Sequence, residues 1–147
     1  MAVKITKMII KDYDEVFALW QNSEGVCLHN DSDSKKSIQK YLKRNPGLSF
    51  VARDKNILVG AVLCGHDGRR GYLHHLAVAK SHRKKGLGKA LAQKALSKLS
   101  SVGIPRCHIF VLGENINAQK FWKKIGWLEL KDLKIISKKL SCCGKCE

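Results

Sequence analysis

Between Gly71 and Leu99 the chain reads GYLHHLAVAKSHRKKGLGKALAQKALSKL, and this stretch constrains the fold more than any other. Tyr72 to Ala79 is short, apolar and β-favouring around a histidine pair, the pattern of a strand buried on both faces. From Leu87 the apolar positions Leu87, Leu91, Ala95 and Leu99 recur every four residues, and Ala92 and Leu96 widen that stripe into the core face of a helix. Gly103 and Pro105 end the helix. Strand, basic glycine turn and helix in that order point to a mixed α/β sheet.

The turn carries the chemistry. A helix N-terminus has backbone N–H groups without intrahelical acceptors and a partial positive charge, so it attracts anions. Gly86 and Gly88 remove side chains that would keep a phosphate from that backbone. Arg83, Lys84, Lys85 and Lys89 add cations around the same spot, and a diphosphate matches both the charge and the row of amides. A P-loop needs a glycine where Arg83 stands and a Ser or Thr where Ala90 stands. A dinucleotide fingerprint needs a third glycine at Leu91. The pattern Arg-x-x-Gly-x-Gly/Ala, after a strand ending Leu-Ala-Val, fits throughout at Leu76, Ala77, Val78, Arg83, Gly86 and Gly88.

The remaining elements follow in order. Val3 to Ile9 alternates as a first strand, and Asp12 to Glu15 opens a helix whose apolar face is Tyr13, Val16, Phe17 and Trp20. A polar loop leads to a second helix at Lys35 to Lys43, stopped by Asn45, Pro46 and Gly47. Leu48 to Arg53, Ile57 to Cys64 and the strand from Tyr72 form an antiparallel meander. Cys107 to Leu112 is a strand parallel to its predecessor if the helix is a βαβ crossover. A short helix from Asn115 to Ile125 precedes a hairpin of Trp127 to Leu130 with Leu133 to Leu140. The expectation is one domain over residues 1–140, a sheet of about seven strands flanked by four helices, with a flexible Cys-rich tail at 141–147.

At 147 residues the chain suits one core. Its 28 basic and 12 acidic residues give a net charge of +16, which suits anionic ligands. The lysines are dispersed, with no tract of the kind that forms a nucleic-acid arm, so charge alone does not indicate RNA or DNA. No run approaches the ~20 apolar residues of a membrane span, and the opening residues lack a signal-peptide layout, so the expected location is the cytoplasm. Cys27, Cys64 and Cys107 sit in apparent core segments, as free thiols do in reducing compartments. Cys142, Cys143 and Cys146 lack the second ligand pair of a structural zinc site, and no metal is expected.

A second motif lies 27 residues after Gly88: Asn115, Ala118, Phe121, Trp122, Gly126 and Trp127 match Asn-x-x-Ala-x-x-Phe/Leu-Tyr-x-x-x-Gly-Phe. Together the two motifs resemble the GNAT superfamily of acetyl-CoA-dependent N-acetyltransferases over residues 2–140. Gly65 to Gly71 and Trp20 look like an uncharacterised bacterial and archaeal subgroup. The resemblance implies that the strands at Leu73 to Val78 and Cys107 to Leu112 splay apart, and that the pantetheine arm of acetyl-CoA enters along Leu76, Ala77 and Val78. It implies a diphosphate on the amides of Arg83, Lys84, Lys85, Gly86, Leu87, Gly88 and Lys89, with Asn115 contacting the cofactor and Phe121 lining its groove.

The implied reaction is direct acetyl transfer to a primary amine, on a small molecule or a peptide N-terminus. His74 is the candidate base, because an imidazole titrating near pH ~6.5 can take an ammonium proton at neutral pH. Alternation places His74 on one face with Tyr72 and Leu76, and His75 on the other with Leu73 and Ala77. Many relatives place an acidic Tyr where Trp122 stands, and indole has no such proton to give. Trp20 and Asp31 are the candidate substrate contacts, although Asp31 serves equally well as a helix cap. The rival is a CoA-binding sensor or interaction protein that kept the fold and lost catalysis. The acceptor amine and a homodimer are left open.

Overall fold

Ile57–His66 (β3) carries an apolar or small side chain at every position but the last, and eight of its ten residues are buried. Such a strand needs neighbours on both edges and cover on both faces. The computed structural model describes residues 3–140, which divide between Phe110 and Val111 into two compact units.

The first unit is a five-stranded mixed sheet in the spatial order β1-β2-β3-β4-β5. The strands are Val3–Lys7 (β1), Phe50–Asp54 (β2), β3, Gly71–Val78 (β4) and Cys107–Ile109 (β5). β1 to β4 pair antiparallel in sequence order, and β5 joins β4 in parallel. The connection from β4 to β5 carries the helix Leu87–Ser101 (labelled α4 below), as the meander and crossover expected from the sequence require.

Helices Tyr13–Gln21 (α1), Asn30–Asp33 (α2) and Lys35–Arg44 (α3) precede β2. One sheet face, through Ala61, Leu63 and Ala77, packs against Met8, Val16, Trp20 and Ile38 in a single apolar cluster. Arg53 on β2 clamps the start of α1, with its Nη2 2.8 Å from Asp12 and 2.9 Å from Glu15. The opposite face receives α4. There Gly60 and Gly71 leave room for Leu91 and Leu99, both fully buried.

β4 does not run straight. Leu63 pairs with His74 and Ala61 with Ala77, so two residues of β4, His75 and Leu76, stand opposite Val62 alone. His75 absorbs the extra residue at φ +52°, a left-handed conformation seldom adopted by a non-glycine residue. The bulge corrects the alternation expected for this strand. His74 and Ala77 now share the α1 side, and both histidine rings lie on it, with centroids 6.4 Å apart.

In the second unit, the helix Ile116–Lys124 (α5) starts on Asn115, whose Oδ1 accepts the Ala118 N–H at 3.1 Å. Trp122 is buried edge-on between the rings of Phe121 and Trp127, at 5.1 and 4.9 Å.

The described residues hold five strands and five helices, not the seven strands and four helices expected. The additional helix is α2, a single turn that the sequence reads as part of a polar loop. The two missing strands are those of the hairpin after Trp127, where Leu128, Leu133, Ile135 and Ile136 stay exposed. Their alternation suits a strand, but a two-stranded hairpin is marginal until a third strand or a helix covers its apolar face. Cys142, Cys143 and Cys146 lie outside the described residues. Among the described residues no helix is long and apolar enough to cross a membrane.

The close approach of α4 to β4 yields a stability prediction. A methyl group at Gly71 would overlap the Leu99 side chain. Gly71→Ala is expected to destabilise by about 1–3 kcal/mol, read as a lower urea midpoint with an unchanged slope. An unshifted midpoint would show that the contact is loose.

Candidate active site

The turn into α4 is built by conformation as much as by charge. A single 3₁₀ turn, Lys80–His82, leaves β4 and is fastened to the end of β2 by His82, whose Nε2 donates to Asp54 Oδ2 at 2.8 Å. Lys84 and Gly86 then adopt left-handed φ of +63° and +83°, which rotates the chain into the helix. The first intrahelical bond is Ala90 N–H to Gly86 C=O at 3.0 Å, so the amides of Leu87, Gly88 and Lys89 precede it. Gly86 offers no capping side chain. A Cβ built on Gly86 would meet nothing within 4 Å, so the space beside this glycine is open. Arg83, Lys84, Lys85 and Lys89 are all exposed around them. The arrangement sets main-chain donors inside a cationic rim, chemistry that suits an anion.

The edge of β4 leads away from those donors. Pairing with β5 stops at Leu73 opposite Ile109. Beyond it, the Ala79 N–H donates to Val59 of β3 at 2.8 Å. By alternation the main-chain groups of Val78 and Leu76 turn the other way, to the edge that β5 has left. The Val78 carbonyl on that edge accepts Arg83 Nε at 2.9 Å. Leu76, Ala77, Val78, Arg83 and Gly86 to Lys89 are thus brought together within one unit. Asn115 and Phe121 belong to the second unit, where Asn115 caps α5 and Phe121 packs on Trp122.

His74 stands among aromatic rings, with Phe110, Tyr72 and Tyr41 at centroid distances of 6.0, 6.2 and 6.4 Å. Burial, and then the neighbouring His75, hold its pKa below the ordinary imidazole value, while Asp33 pulls the other way. A base so placed is neutral and able to accept a proton at neutral pH. The Tyr41 hydroxyl is buried without a hydrogen-bond partner among the described residues, and burial raises its pKa. Burial likewise pushes the Cys64 thiol up to about 12 and the Cys107 thiol to about 11, which keeps both protonated.

The two candidate substrate contacts are placed differently from each other. Trp20 is fully buried, and its indole N–H donates to the His75 carbonyl at 3.1 Å. Asp31 is exposed on α2, and its main-chain carbonyl takes the Ser37 hydroxyl. Ser34, not Asp31, caps α3, with its Oγ accepting the Ser37 N–H at 3.2 Å.

The carboxylate that matters structurally is Asp33, which is 5% exposed. Its Oδ1 accepts His75 Nε2 at 2.9 Å, and its Oδ2 accepts the His29 N–H at 2.9 Å. Burial alone would raise its pKa, but the bonds from His75 and His29 outweigh that and hold it below the ordinary carboxylate value. Nothing in the local sequence singles out Asp33, because its partner lies 42 residues away. Nothing local pointed to the His82–Asp54 pair. Among the described residues no group of three or more His, Cys, Asp or Glu side chains is gathered for a metal ion.

A depressed Asp33 pKa has a definite pH signature. Its contribution to stability is fully present above the unfolded value of about 3.9 and is lost as pH falls through the folded value. The difference in urea midpoint between the parent and Asp33→Asn is therefore expected to hold from pH 7 to about 5 and to shrink below about pH 4. A difference that persists unchanged through that range would contradict an ionised, hydrogen-bonded Asp33.

An acetyltransferase of Yersinia pestis (strain Pestoides F) is 30% identical over 129 residues, which cover 88% of this chain and 89% of the relative. A Thermoplasma acidophilum PaiA N-acetyltransferase, solved in complex with coenzyme A, aligns with a TM-score of 0.74 at 20% identity, over 84% of this chain and 88% of that one. An Escherichia coli ribosomal-protein-S18-alanine N-acetyltransferase aligns with a TM-score of 0.71 at 17% identity, over 85% and 77% of the two chains. These two structures share the fold. The family model described as acetyltransferase (GNAT) family matches residues 13–127, and with that span matched the chain belongs to the GNAT acetyltransferases.

Proposed function

We propose that the protein transfers the acetyl group of acetyl-CoA directly to a primary amine, carried by a small molecule or a peptide N-terminus, with residues 1–140 working as one domain. The observation that carries this reading is the continuity of uncapped amides at the mouth of α4 with the β4 edge beyond Leu73. A diphosphate and an extended amide-bearing arm are the ligand parts that match those two surfaces. The free thiols of Cys27, Cys64 and Cys107 fit a reducing compartment such as the cytoplasm.

In this reading the amides of Leu87, Gly88 and Lys89 hold the diphosphate, and Arg83, Lys84, Lys85 and Lys89 balance its charge. Leu76, Ala77 and Val78 line the arm, and the Leu76 N–H polarises the thioester carbonyl as the tetrahedral intermediate forms. His74 takes the proton from the attacking ammonium. The amine nitrogen bonds to the carbonyl carbon, the C–S bond breaks, and the proton on His74 is available to the departing thiolate. Asp31, exposed on α2, is the candidate partner for a substrate ammonium.

One observation favours a second reading. The position where many relatives place a Tyr is Trp122, a buried indole packed between two aromatic rings. A protein that binds CoA without turning it over would tolerate that substitution. Thiol release from acetyl-CoA, measured across a panel of amines and short peptides, separates the two. Amine-dependent release supports the enzyme; tight CoA binding with no release on any acceptor supports the sensor.

Two variants test the assigned roles. Gly86→Glu puts a carboxylate at the anion cradle and forces a side chain into a left-handed position, so CoA affinity is expected to fall at least about tenfold. An unchanged affinity by calorimetry would contradict the site. His74→Ala is expected to lower kcat by about 10² or more while CoA affinity stays within about twofold. The acid limb of the parent's pH–rate profile is expected below about pH 6.5, following the lowered His74 pKa, and to vanish in the variant. A limb unaltered by the substitution would remove His74 from the mechanism.

A further inference from the structure

A histidine in a left-handed conformation within a strand is strained, and such strain persists only where the surroundings over-determine it. Three contacts hold His75. Its Nε2 donates to Asp33 Oδ1 at 2.9 Å, its carbonyl accepts the Trp20 indole N–H at 3.1 Å, and its ring meets the Trp20 ring edge-on at 5.0 Å. The anchors are themselves fixed. Trp20 is 0% exposed and Asp33 5% exposed. Asp33 is tied by its carboxylate to the His29 N–H and by its carbonyl to the Tyr13 hydroxyl. The Tyr13 hydroxyl, the Asp33 carboxylate and the Trp20 indole N–H are all partnered in this set of contacts, and the links lead to one residue of β4.

That residue is where the strand gains its extra position. Without the bulge, the alternation of β4 past Leu73 would shift by one, and the main-chain groups of Leu76 and Val78 would not face the edge left by β5. We propose that His75 and Asp33 are positioning residues, which together with Trp20 pin the β4 bulge and so aim the Leu76 and Val78 backbone at the pantetheine part of CoA. The pair touches no reacting atom and acts through the strand. This inference rests on the acetyl-CoA site proposed above for what occupies that edge.

Titration with two ligands tests it. ADP presents only a diphosphate to the α4 turn, whereas CoA spans the turn and the β4 edge, so in the parent CoA is expected to bind more tightly than ADP. His75→Asn keeps a residue that tolerates left-handed φ and shortens the side chain that reaches Asp33. Trp20→Phe keeps a buried ring and removes the N–H that reaches the His75 carbonyl. Both variants are expected to bind ADP within about twofold of the parent and to bind CoA about fivefold or more weakly, the order expected for one or two lost hydrogen bonds. Unchanged ADP affinity also shows that each variant is folded around the turn.

Equal loss for ADP and CoA would mean a general structural role, and no loss for either would mean that the bulge holds without the pair. Either result overturns the proposal. A parent that binds neither ligand would overturn the underlying site assignment instead, and that result is visible before any variant is made.

Discussion

Main-chain amides that leave a ladder or begin a helix must find acceptors, and this protein gathers two such sets in one place. The first set opens α4, where Gly86 supplies no cap and the bond from Ala90 comes only after three amides have passed. The second lies on β4 past Leu73, where the parallel partner has ended. Donors fixed by backbone geometry cost no reorganisation when an anion or a carbonyl arrives, which is what a transfer site needs. The cations around them raise the local concentration of anionic ligand but cannot aim it.

The rest of the first unit serves to hold these donors still. Glycines at 60 and 71 let Leu91 and Leu99 seat α4 directly on the sheet, so the helix mouth is fixed relative to β4. His82 fastens the turn to β2 through Asp54, and Arg53 fastens β2 to α1. On the other face Trp20 fills the core and spends its one polar atom on the His75 carbonyl. Rigid packing on one face and a strained, hydrogen-bonded bulge on the other set the direction in which the strand presents its amides. His74 lies on the same face as the bulge, and burial lowers its pKa.

Much of this was legible in the sequence, for local reasons. Glycine spacing, the four-residue apolar repeat from Leu87 and the apolar run before Lys80 are short-range signals, and they located the turn, the helix and the strand. The bulge was not legible. A histidine carries no mark of a positive φ, and what enforces it comes from Asp33 and Trp20, 42 and 55 residues away. Strict alternation therefore put His75 on the wrong face. The hairpin after Trp127 failed for the converse reason. Its alternating apolar residues describe one side of a strand, but a strand is a property of pairs, and composition cannot name the neighbour. Asp31 and Asp33 differ by two positions and little else in sequence, yet one is exposed and the other is buried against a histidine.

Backbone amide spectra, recorded as coenzyme A is added to the protein, probe these donors one by one. Resonances of Leu76, Val78, Leu87, Gly88 and Lys89 should move together and saturate at one ligand concentration. If those five stay fixed while other amides move, the ligand sits elsewhere, and the account of how this chain binds and activates its acetyl donor is wrong.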